Sequence, residues 1–75
     1  MHEFLVNFQD LNLDGTLPTQ ESAAIKRKKA LRVEDNVCAV DEDGNRCYGF
    51  IGRFDPETGF VGLVLDKTTY QSAIR

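Results

Sequence analysis

Seventy-five residues with 12 Asp and Glu against 9 Lys and Arg, 41% hydrophobic and 28% charged, describe one small domain near the lower limit for folding alone and leave no room for a second. The apolar runs are too short to span a bilayer, and the first residues lack the basic start and apolar stretch of a secretory signal, so the expected address is the cytoplasm. So short a chain has few residues for a deep cleft, which argues against a self-contained enzyme.

Charge is unevenly placed. Residues 1–25 carry a net of minus four, residues 26–32 plus five and residues 33–75 minus four, so the molecule is acidic with one basic stripe. At the front, Phe4, Val6 and Phe8 alternate with Leu5 and Asn7, the period of a half-buried strand. A polar, Gly-containing turn follows over residues 10–16. From Thr19 to Leu31 the composition favours a short helix, with Pro18 where a first turn tolerates it, or else an extended linker.

Beyond Val33 the pattern is β. Val37–Val40, Cys47–Phe54 and Phe60–Leu65 read as three strands, joined by turns at Asp41–Asn45 and Asp55–Gly59, where Gly, Asn, Asp and Pro supply the required backbone angles. Two tight turns make an antiparallel meander. Its middle strand is apolar on both sides: Tyr48, Phe50 and Phe54 fall on one, Cys47, Gly49 and Ile51 on the other. A sheet with one wet face does not read this way, and the economical solution is a bent sheet closing as a small barrel, with Gly49, Gly52 and Gly62 at the bends. The expected organisation is an N-terminal segment, residues 1–31, packed as one domain with a barrel over residues 32–75.

Within Arg32–Asp66 several motifs fall in order: the entry Val33, Glu34 and Asp35; the small Ala39 in the first strand; the Glu42-Asp43-Gly44 turn; the aromatic-led strand Tyr48 to Asp55; and an apolar third strand. This stretch resembles the Tudor family of small β-barrels. The resemblance implies a mainly β, Src-homology-3-like antiparallel barrel with an N-terminal strand and a short helix or linker. In that family an aromatic cage binds methylated Lys or Arg. At the corresponding places this chain has Val40 and Asp41, Tyr48 or Cys47, and Leu65, with Tyr70 as a later ring.

Three surfaces are candidates for function. Tyr48, Phe50, Phe60 and Tyr70 would form or border a face that meets a protein partner or a second copy, since a chain this short has one core and more rings than it needs. Lys26, Arg27, Lys28, Lys29 and Arg32 could contact the phosphates of a nucleic acid, or simply form a solvated face. The segment Asp10 to Glu21 meets the spacing of an EF-hand loop, with Asp10, Asn12, Asp14, Thr16 and Glu21 as calcium ligands and Gly15 at the sharp turn; Leu13 and Pro18 depart from the template, and the alternative is a polar turn with Asp14-Gly15 at its tip.

For catalysis the inventory is thin. His2 is the only histidine, and no Cys or Ser has an identifiable base. Cys38 and Cys47 flank the first turn, where a four-residue loop would set them opposite one another; two reduced, partly buried thiols are the better reading. The expected function is that of a non-catalytic interaction module, with nucleic-acid association and weak calcium binding as alternatives and no membrane partner.

Overall fold

The computed structural model describes residues 1–25 and 30–73. Five strands form one curled mixed sheet: β1 (His2–Leu5), β2 (Thr16–Gln20), β3 (Asn36–Val40), β4 (Arg46–Asp55) and β5 (Phe60–Gln71), in the spatial order β1-β3-β4-β5-β2. The three expected strands are present as the antiparallel meander β3–β4–β5. β1 joins beside β3 in parallel, and β2 joins antiparallel to β5, so both edges come from the front of the chain.

The sheet curls into a half-barrel. The concave side holds the core, in which Phe4, Leu17, Val37, Ile51, Val61 and Leu63 are fully or almost fully buried. Curling brings the chain just beyond β2 round toward β1, where Phe4 bridges Ala24 and the Ile25 N–H donates to the Glu3 carbonyl at 2.6 Å. Gly49 permits the tightest approach: a Cβ there would lie 2.0 Å from the Val64 carbonyl oxygen, so any side chain would push β4 and β5 apart.

Several sequence expectations change in three dimensions. The segment Thr19–Leu31, read as helix or linker, begins as strand β2, continues as a single 3-10 turn at Glu21–Ala23 and bridges β1 at Ala24. Its thin apolar stripe could not anchor a helix, whereas Leu17 fills the core from a strand. Pro18 is tolerated because Gly15 bonds to Leu65 of β5 and Glu21 to Gly59 just before it, while Thr16 bonds away from β5, to Asp14 and Asn12; by alternation the ring nitrogen of Pro18 lies on the free edge.

The hairpin loop has five residues, Asp41 to Asn45, so Cys38 pairs with Tyr48 and Ala39 with Cys47. The two thiols therefore lie on opposite faces of the sheet, each buried and free. Phe54, too, leaves the face of Tyr48 and Phe50. A register shift between Ile51 and Arg53 reverses the alternation, pairing Phe54 with the buried Val61 and packing it on the core.

β5 runs six residues beyond its expected end at Leu65. There the ladder is irregular, between Tyr48–Asp66 and Arg46–Gln71, and the Thr69 hydroxyl stands in for it. It accepts the Tyr48 N–H at 2.9 Å and donates to the Asp66 carbonyl at 2.6 Å. At the front, alternation places Phe4 and Val6 inward, but the strand stops at Leu5 and Phe8 opens a 3-10 turn capped by the Asn7 side chain.

Candidate binding surface

Because Cys47, Ile51, Val61, Leu63 and Leu65 fill the core, their alternating neighbours on β4 and β5 point to the convex outer face. Along it run the paired rows Tyr48–Asp66, Phe50–Val64, Arg53–Gly62 and Asp55–Phe60, and β2 adds Thr16 beside Val64 and Pro18 beside Gly62. Phe50 is 41% exposed, an unusual position for a ring at mid-strand. Tyr48, Phe60 and Val64 are half-buried.

Next to Phe50 lies a shallow apolar groove of about 340 Å³, lined by Pro18, Gly52, Arg53, Phe60, Gly62 and Val64. Two of its lining residues, Gly52 and Gly62, have no side chain, and a Cβ at Gly52 would lie 2.6 Å from Val64 Cγ2. One wall is Phe60, and the Arg53 guanidinium carbon lies over that ring, 5.9 Å from its centroid. Arg53 is exposed and forms no ion pair with another described residue. Sequence reading found Tyr48, Phe50 and Phe60 but missed Arg53, Val64 and Pro18. The available signal was Gly52 inside an apolar strand, which marks the bulge that re-aims Arg53.

Tyr70 lies elsewhere. It meets Phe8 edge-to-face, with centroids 5.5 Å apart and planes at 90°, and with Leu11 and Lys67 it lines a small apolar cleft over Cys47. The four rings named from sequence therefore divide into an outer set of three and a separate fourth.

A larger cleft of about 570 Å³ opens between the residues after β1, the free edge of β2 and the β3–β4 turn. Leu17 and Val6 contribute to its lining, along with Asp10, Asp41, Glu42 and Asp43. Asp41 is committed to the turn: its carboxylate accepts from the Asp43 N–H, the Asn45 N–H and the Asn45 side-chain amide at 2.8 to 3.0 Å. These bonds, the Asn45 side chain foremost, hold it below the ordinary 3.8. Among the described residues the cleft lining contains no base or thiol to set against these acids.

Of the calcium-loop residues, Asn12, Asp14 and Thr16 are bonded to one another. Asp14 Oδ1 accepts from both the Thr16 N–H and hydroxyl, at 3.0 and 2.7 Å, the Asn12 amide donates to the Thr16 hydroxyl, and the Thr16 carbonyl is taken by the Asn12 N–H. Gly15, at φ 91°, turns the chain as the template requires, but β2 then extends and carries Glu21 to its far end. Asp10 closes the earlier 3-10 turn, exposed. Among the described residues no three His, Cys, Asp or Glu gather as a metal site.

Of the basic stripe, Lys26, Arg27, Lys28 and Lys29 lie outside the described residues, while Arg32 is exposed and its N–H donates to Asp35 Oδ2 at 3.1 Å. Asp35 also meets His2 Nε2 at 3.0 Å, tying β1 to the entry of β3 and lowering the Asp35 pKa. None of the described helical segments is long and apolar enough to cross a membrane. Comparison of the chain with protein-family models, with curated proteins and with solved structures gives no match.

Proposed function

We propose that this chain is a non-catalytic interaction module that docks another polypeptide on the outer face of β4, β5 and β2. The observation carrying the reading is the exposure of Phe50 at the centre of a face that also presents Phe60, Val64 and Pro18, with an apolar groove beside it. Apolar ground of this kind, rimmed by polar groups, marks interaction sites on small proteins, and aromatic anchors carry a large share of binding energy. Docking on the face is favoured over strand addition, because Pro18 removes an N–H from the free edge of β2. A Tudor-like barrel for Arg32–Asp66 belongs to the same proposal; the antiparallel meander β3–β4–β5 and the quoted motifs support it.

Affinity capture from the native host, with wild type, Phe50→Ser and Phe60→Ala as baits of matched circular dichroism, tests the reading. The expected result is a bound polypeptide retained by wild type and lost with both variants, while Leu13→Ser, altering a residue 97% exposed outside this face, keeps it. Binding indifferent to Phe50 and Phe60 would place the docking surface elsewhere.

A further inference from the structure

On this outer face the charges change sign about its centre. With the Phe50–Val64 pair as the midpoint, one step of two residues along β5 reaches Asp66 beside Tyr48, and the same step the other way reaches Gly62 beside Arg53. Each step is about 7 Å at strand rise. One row further out on β4, Arg46 stands at the Tyr48 end and Asp55 at the Phe60 end. The sequence of signs is therefore plus, minus, apolar centre, plus, minus.

A two-fold axis lying in the plane of the face, across the strands through Phe50–Val64, lays the Tyr48–Asp66 row of one copy over the Arg53–Gly62 row of the other and the Arg46 end over the Asp55 end, so rows of opposite sign meet. Self-complementarity of this kind is what a closed, isologous interface requires, whereas an unrelated partner imposes no such symmetry. We infer that the outer face is a homodimer interface, in which a second copy packs Phe50 and Val64 on their own equivalents and sets Asp66 against Arg53. The inference rests on the docking-face reading above and narrows its occupant to this chain.

The details agree. Asp66 receives both the Thr68 N–H and hydroxyl on Oδ1, which leaves the acceptor capacity of Oδ2 to another donor. Arg53 lies over Phe60 and forms no ion pair with another described residue, so its N–H donors can serve a carboxylate. Arg46 and Asp55 contribute less, being engaged with Glu3 and the Glu57 N–H. An interface of standard size takes about 800 Å² per partner. That is about one-sixth of the 5195 Å² surface, roughly one face, and convexity reduces it further, so affinity belongs in the roughly micromolar range.

Sedimentation equilibrium over micromolar to near-millimolar concentrations, on wild type, Phe50→Ser, Arg53→Glu and Asp66→Lys, reads the dimer directly. Wild type should dimerise, and each single variant should weaken the dimer at least about tenfold. Mixing Arg53→Glu with Asp66→Lys should restore it, because both cross-interface contacts are then again between opposite charges; neither variant alone can do this. The rescue also shows that both variants are folded. A monomer throughout, a dimer indifferent to Phe50, or a mixture no tighter than its components would overturn the inference. If the protein is monomeric but captures a different polypeptide through Phe50, the docking face stands and its occupant is not this chain. If neither occurs, both readings fall.

Discussion

Truncating Ile51 and its neighbour Phe50 to alanine, one at a time, separates the two faces of β4. Ile51 is fully buried in the half-barrel, whereas Phe50 is 41% exposed. Ile51→Ala removes three carbons worth about 0.8 kcal/mol each, and the space they leave adds about 1 kcal/mol, for a loss of roughly 3 kcal/mol. A chain of this length holds only about 4–11 kcal/mol in total. The melting temperature should therefore fall by roughly 12–24 °C. Phe50→Ala removes more atoms but leaves no closed cavity and should cost about 1 kcal/mol. Urea denaturation followed by circular dichroism measures both, with an unchanged slope indicating an unchanged extent of unfolding. Equal losses at the two positions, or a larger one at Phe50, would refute the assignment of core and outer face.

Thr69→Val should cost about 1–2 kcal/mol by stranding the Tyr48 N–H, and hydrogen exchange at that amide should accelerate more than at Ile51. Acid should destabilise the fold from one direction only. Asp14, Asp35, Asp41 and Asp66 all have folded pKa values below the ordinary 3.8, because bonds from Thr16, His2, Asn45 and Thr68 respectively favour their charged forms. Their stabilisation is thus complete above that value and disappears as pH falls through the lower folded values, so urea midpoints should be level near neutrality and drop below about pH 4. Asp41→Asn should flatten part of that drop. Calcium titrated to millimolar should leave the amide resonances of Asp10, Asn12, Asp14 and Glu21 unmoved; shifts confined to these residues would show that the loop rearranges to bind. Mild oxidation should produce no intramolecular disulfide, since Cys38 and Cys47 face opposite sides of the sheet, and a monomer with neither free thiol nor added mass would contradict that register.

Local chemistry made the meander readable from sequence. Asp41–Asn45 and Asp55–Gly59 carry residues whose backbone preferences specify reversals, and the apolar segments between them have lengths and compositions suited to strands. The three outer rings were legible for a related reason, since Tyr48, Phe50 and Phe60 exceed what one small core can absorb. What the sequence could not supply was parity. A single bulge at Gly52 exchanges the faces of Phe54 and Arg53, and one residue more in the hairpin loop parts Cys38 from Cys47; neither change alters hydrophobic content.

The front of the chain depended still more on tertiary context. Thr16–Gln20 lacks a strong strand pattern and contains a proline, yet it is a strand because the free edge of β5 lies within reach and Leu17 completes the core from there. The same extension places the whole of β2 between the Asp14-Gly15 turn and Glu21, whereas the spacing of the calcium template presupposes a compact loop. Sequence therefore determined the turns, the central strands and the surplus of aromatic rings, all governed by interactions among near neighbours. Curling of the sheet decided which side became core, how the N-terminal strands closed its edges and where Arg53 and Asp66 stand about Phe50, because those outcomes depend on pairings between residues far apart in the chain.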